Sequence, residues 1–184
     1  MTCIVALEVD GDVIMACDSG ESYAGRLMQE DNSKIFCVKD LMFGVSGYSR
    51  ASNLLEHSLV LPENERESDM QYLSLDAAQA ISECLNNGKL AKNDNGEEDS
   101  QTTILIGYKG KVYFMAQNYS VSRYSCGYFA IGSGADYALG AIHAMLESEQ
   151  ASEEWIALKA VEAACKFSDS CMEPMYMNTL VGEK

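Results

Sequence analysis

Along the chain, apolar positions come first in short unbroken runs and only later at helical spacing. Cys3-Ile4-Val5-Ala6-Leu7-Glu8-Val9 and Val13-Ile14-Met15-Ala16-Cys17 are almost continuously apolar, the pattern of strands covered on both faces. Asp10-Gly11-Asp12 between them predicts a hairpin turn, because an Asp-Gly pair accepts the positive φ that tight hairpins require. Residues 18–33 are polar and contain glycine, which predicts a long hairpin or loop. Residues 34–38 then read as a third strand, and 41–47 as a fourth that ends in glycine. From Ser49 the period changes, with Leu54, Leu55, Leu59 and Val60 at helical spacing. A second helix fits 75–90, its stripe formed by Ala77, Ala80, Ile81, Cys84 and Leu85, with Asp76 placed to support its N-terminus through the helix dipole.

Residues 91–101 form the one stretch of low hydrophobicity and predict a solvated loop. A second hairpin follows, 102–108 and 111–116 around Lys109-Gly110, and then a short strand at 129–131 running into Gly132-Ser133-Gly134. Helices fit 135–146 and 153–167. The order is strands, two helices, strands, two helices. Segregated blocks of this kind predict an α+β fold in layers, with helices on antiparallel sheets rather than a βαβ alternation.

Composition narrows the function classes. The 184 residues suit a single domain over 1–184, with a core large enough for independent folding. No run approaches the roughly 20 apolar residues needed to span a bilayer, and the N-terminus lacks the basic region and long apolar stretch of a signal peptide. The expectation is a cytoplasmic protein with no membrane partner. A net charge of -15 repels phosphate backbones and disfavours nucleic acid. The seven cysteines are scattered, without a C-x-x-C, so most are expected to be reduced core residues rather than zinc or redox pairs. His57 and His143 are the only histidines. Each sits within a predicted helix, and a structural role is the simpler reading of both.

Candidate chemistry is sparse. Gly132-Ser133-Gly134 opens a helix and could hold an anion on its amides, but without a third glycine and a downstream acid it reads first as a tight turn. The common P-loop and G-x-S-x-G signatures are missing. What remains is the spacing of Thr2, Asp18 and Lys34, which neighbouring strands would bring to one sheet edge. A threonine hydroxyl needs a base. The free α-amine exposed by removal of Met1, with a pKa of about 7.7–8.0, is better matched to neutral pH than a lysine at about 10.4. Lys34, paired with Asp18, would lower the hydroxyl and amine pKa values by like-charge proximity, and N–H groups near Gly47 would hold the oxyanion. On spacing alone, a plain Asp18–Lys34 salt bridge beside a frayed terminus explains the same residues.

Several motifs, in order, add to this. Thr2-Cys3-Ile4-Val5, then D-G-D-V-I-M-A-C-D, Lys34, Gly44-Val45-Ser46-Gly47 and Ala130-Ile131-Gly132-Ser133-Gly134-Ala135-Asp136-Tyr137-Ala138 resemble the proteasome-like N-terminal nucleophile hydrolases, looking closest to their HslV-type and proteasome β-type subunits. The resemblance implies a four-layer αββα sandwich and a threonine-type endopeptidase working through an acyl-enzyme. It makes Thr2 the nucleophile and, through its amine, the base. Asp18 and Lys34 orient and activate it, the Gly47 N–H forms the oxyanion hole, and Ser133 bonds near the Thr2 amine.

The same resemblance has Glu21 and Ser22 line the substrate channel, with Val45 at the base of the pocket for the residue before the scissile bond, suggesting an apolar preference. No cofactor is required, but carbonyls of Cys165, Ser168 and Cys171 match a site for Na+ or a similar monovalent cation. A one-residue shift would instead make Asp169 an active-site partner, and the sequence leaves both open. Cys17 departs from the small residue usual before the Asp, and Cys3 is a second, internal nucleophile lacking a free amine. The implied partners are a peptide or unfolded protein as substrate, further copies in a homo-oligomeric ring, and an AAA+ ATPase. An amidohydrolase acting on a small amide and an inactive structural subunit are the competing readings.

Overall fold

The two leading apolar runs form the hairpin that their turn predicts. In the computed structural model, which describes residues 2–90, 92–94, 97–147 and 151–182, β1 (Ile4–Val9) pairs antiparallel with β2 (Asp12–Asp18). Asp10 and Gly11 turn the chain at φ 46 and 93. The polar segment that follows folds as a small hairpin, β3 (Gly20–Tyr23) and β4 (Arg26–Gln29). Next come β5 (Ile35–Val38), β6 (Leu41–Ser46) and α1 (Ser49–Ser58). A continuous helical segment follows, composed of α2 (Asp69–Gln71), a π-helical stretch (Tyr72–Ala77) and α3 (Ala78–Asn87). The second half comprises β7 (Lys92–Asp94), β8 (Glu97–Asp99), β9 (Thr103–Tyr108), β10 (Lys111–Met115), β11 (Val121–Ser122), β12 (Tyr128–Ile131), α4 (Ala135–Leu146), α5 (Glu153–Phe167) and β13 (Met175–Leu180).

These strands make two principal sheets, ordered β12-β1-β2-β13 and β11-β10-β9-β6-β5. Side chains alternate across each strand, and both faces of each sheet are covered, which is why the runs are apolar throughout. Val5, Leu7, Ile14 and Ala16 face Ala138, Ile142, Ala157 and Val161 of α4 and α5. Ile4, Ala6, Val13, Met15 and Cys17 face the second sheet through Ile35, Met42 and Leu105. The far side of that sheet, with Phe43, Val45, Ile104 and Ile106, packs on Ala51, Leu55, Leu73, Ile81 and Leu85 of the other helices. Three apolar seams therefore hold four layers in the order α, β, β, α.

The differences from the sequence reading have local causes. The second helical segment begins at Asp69, about two turns before residue 75, and is capped by Ser68, whose Oγ accepts the Gln71 N–H at 3.2 Å. Asp76 lies inside that segment and accepts two 2.6 Å bonds from Arg66, so it supports no N-terminus. Part of the predicted loop at 91–101 pairs as the β7–β8 hairpin, with Ala91, Asn95 and Gly96 outside the described residues. β13 has no apolar run, with three of its six residues half-buried and three exposed, yet it completes the first sheet along β2. Of the cysteines, Cys3, Cys17 and Cys171 are buried, Cys84 and Cys165 are half-buried, and Cys37 and Cys126 are exposed. No described helix is long and apolar enough to cross a membrane.

Candidate active site

The open end of the β1–β2 hairpin carries Thr2 and Asp18 to the same end of the first sheet. Asp18 is fully buried, and a buried carboxylate is tolerable only when its oxygens are satisfied. Its Oδ1 accepts the Cys3 N–H at 2.8 Å and Lys34 Nζ at 2.7 Å. Its Oδ2 accepts the Gly20 N–H at 2.8 Å and the Met172 N–H at 3.2 Å. Lys34, 7% exposed, donates a second bond to the Gly20 carbonyl at 2.7 Å. One carboxylate thus ties the N-terminal strand, the start of β3, the start of β5 and the turn before β13. The Asp18–Lys34 pair is a structural salt bridge, and it also fixes Lys34 on the wall of the cleft that Thr2 lines.

Thr2 is 6% exposed. Its N–H donates to Ser133 Oγ at 3.2 Å, and its carbonyl accepts the Gly134 N–H at 3.1 Å. Ser133 sits in the glycine turn between β12 and α4, where Gly132 has φ 94 and a Cβ would fall 2.2 Å from the Thr2 carbonyl oxygen. Gly132 therefore permits close approach to Thr2, while a Cβ on Gly134 would press on Cys171, Ala164 and Cys3. Ser133 Oγ lies 2.8 Å from Ser170 Oγ, which lies 2.6 Å from Ser168 Oγ. A hydroxyl offers one donor and two acceptor sites, so this row of three can accept from the Thr2 nitrogen and pass its own hydrogens onward.

Gly47 leaves β6 at φ 135, with a Cβ position only 2.5 Å from the Gln101 carbonyl oxygen. No other residue fits that corner without moving the approach to β9. Gly47 lines a cleft of about 240 Å³ together with Thr2, Lys34, Val45, Glu21 and Ser22. Asp18 and Ser133 stand behind that wall, bonded to Lys34 and Thr2. Every residue assigned by the sequence to catalysis or to the substrate channel therefore falls at this one place. Met1, whose removal the sequence reading expects, lies outside the described residues.

Other candidates fall elsewhere. Asp169 is exposed and forms no side-chain bond among the described residues; the partner of Ser133 is its neighbour Ser170. Sequence reasoning missed Ser170, because serines two apart after a helix look like ordinary caps. Cys165 lies in the last turn of α5, Ser168 caps that helix and Cys171 is buried just beyond. Carbonyls at a helix C-terminus lack intrahelical partners, and oxygen ligands of this kind suit a hard cation. No described cluster of His, Cys, Asp or Glu could hold a metal. His57 and His143 are exposed and neither lines the cleft, though His57 Nε2 lies 3.7 Å from Glu56 at its rim. Cys3 is fully buried, and burial, with Cys171 and Asp18 nearby, pushes its thiol far above the ordinary range. Cys17 packs in the seam between the sheets, with its Sγ 3.8 Å from Ser33 Oγ, and does not itself line the cleft.

Three comparisons bear on this geometry. A family model described as "Proteasome subunit" matches residues 1–173. The "ATP-dependent protease subunit HslV" of Treponema denticola is 25% identical over 170 residues, covering 90% of this chain and 88% of that protein. Among solved structures, Thiobacillus denitrificans BPH superimposes with a TM-score of 0.85 at 22% identity over 99% of both chains. Its complex with epoxomicin gives 0.82 at 21% identity over 100% of both. HslV from Trypanosoma brucei gives 0.68 at 16% identity, covering 97% of this chain and 98% of that one. At such identities the solved structures speak for the fold.

Proposed function

This chain belongs to the proteasome subunit family, and we propose that it is a threonine-type endopeptidase subunit acting through Thr2. The observation that carries the reading is the placement of Thr2: its nitrogen bonds Ser133, and it lines a cleft beside Lys34 and Gly47. Once Met1 is removed, that nitrogen becomes an α-amine covalently held next to the Thr2 hydroxyl. The neutral amine takes the hydroxyl proton as Oγ1 attacks the peptide carbonyl, and the Gly47 N–H receives the oxyanion. The proton passes to the leaving amine, an ester forms on Thr2, and water activated by the same amine hydrolyses it. Lys34 favours both the alkoxide and the neutral amine electrostatically, and Ser133 with Ser170 orients the nitrogen. No step routes through a cation; the carbonyls of Cys165, Ser168 and Cys171 at the end of α5 would be the ones to hold a monovalent cation.

Assembly into a homo-oligomeric ring served by an AAA+ ATPase belongs to the same proposal, supported by the relative named as an ATP-dependent protease subunit. The test compares wild type with Thr2→Ala for peptide hydrolysis, each sized by light scattering. Loss of turnover in a variant of unchanged size supports the reading. Equal turnover would refute the nucleophile, and a small species hydrolysing only simple amides would move the chain to the amidohydrolase class.

A further inference from the structure

Three carboxylates stand on the wall of the cleft that holds Thr2. Glu21 comes from β3, Glu30 follows β4, and Glu56 lies on α1. Little there answers their charge. Lys34 is the only cation among the described lining residues, and Asp18 and the Gly20 carbonyl engage its ammonium. Glu21 receives a bond from the neutral Ser49 hydroxyl. Among the described residues, the one basic group within 4 Å of Glu56 is His57 Nε2, at 3.7 Å. Burial and the neighbouring Glu21 push the Glu30 carboxyl above its ordinary range, so Glu30 gains from any positive charge brought to it. Val45, buried, supplies an apolar surface on the same wall.

A lysine or arginine side chain fits this combination, since its aliphatic stem suits the apolar surface and its cationic head the carboxylates. A leucine would use Val45 but strip water from the acids without replacing it. A glutamate would be repelled. We propose that the cleft selects a lysine or arginine on the residue whose carbonyl Thr2 attacks. This replaces the apolar preference that Val45 alone suggests, and it rests on the threonine-peptidase reading.

The test measures kcat/KM on the assembled protein with four peptides that differ only before the cleaved bond, carrying Arg, Lys, Leu or Glu. Arg and Lys should exceed Leu by on the order of tenfold, with Glu slowest, and the excess should shrink as salt is raised. Glu21→Gln combined with Glu30→Gln should bring the Arg-to-Leu ratio towards one. Glu56→Gln, on an exposed helix surface, should lower the ratio in part and does not risk the fold. Leu cleaved as fast as Arg, or a ratio unmoved by salt and by these substitutions, would overturn the proposal while leaving the peptidase reading standing. Hydrolysis of none of the four by folded protein would remove both.

Discussion

Cys3 carries the intrinsically better nucleophile than Thr2, yet the fold withdraws it. Its thiol is buried against Cys171 and Ala164 near Gly134, and its N–H is committed to Asp18. Alkylation of the native protein should therefore modify Cys37 and Cys126 and spare Cys3, as peptide mapping will show. Thr2→Ala should leave the melting temperature within about 3 °C, since the loss is one buried hydroxyl. Lys34→Ala is a less clean probe, because it removes the ammonium partner of a fully buried carboxylate. Asp18 keeps three N–H donors, so the cost should sit at the low end for a broken buried pair, about 3 kcal/mol or about 6–12 °C. An amine base must be neutral to act. Activity should therefore rise with pH through an inflection at or below about 8 and be lost on acidification; an inflection near 10 would point to a lysine instead.

At the scale of elements, what could be read from sequence divides by burial. β1, β2, β6 and β9 are covered on both faces, so their apolar runs announce them. β13 is a half-exposed edge of the first sheet, and its Met-Tyr-Met-Asn-Thr-Leu shows no period that would reveal it. The site divides similarly. Asp18 and Lys34 are legible as a spaced pair, whereas Ser170 becomes a partner of Ser133 only when the turn after α5 is folded back. Glu21, Glu30 and Glu56 belong to three different segments and meet only in the cleft. Gly47→Ala tests how strictly an element must be placed. Its Cβ would press on the Gln101 carbonyl at a φ that side chains avoid, so turnover should fall by on the order of a hundredfold. Ser68→Ala serves as a control far from the chemistry. Loss of that cap should cost about 1 kcal/mol, visible as a fall of about 2–4 °C, with turnover intact.

The whole molecule presents two helical layers to its surroundings and a charge of -15. Copies of such a chain repel one another at low ionic strength, and screening relieves that repulsion within roughly 10 Å at 0.1 M salt. If the subunit works in a ring, light scattering should show the large species gaining at the expense of the small one as salt is raised. A single small species at every salt concentration would remove the ring from the account and favour a small-amide substrate.

The central claim is that Thr2, freed of Met1, is the nucleophile. Intact-mass analysis after incubation with a peptide epoxyketone tests it most directly, because that reagent requires the hydroxyl and the free amine of the same residue. The account predicts a chain lacking Met1 that gains one inhibitor, mapped to Thr2, with no adduct on Thr2→Ala. A chain that keeps Met1 and gains nothing, or one that carries its adduct on Cys3, would contradict it.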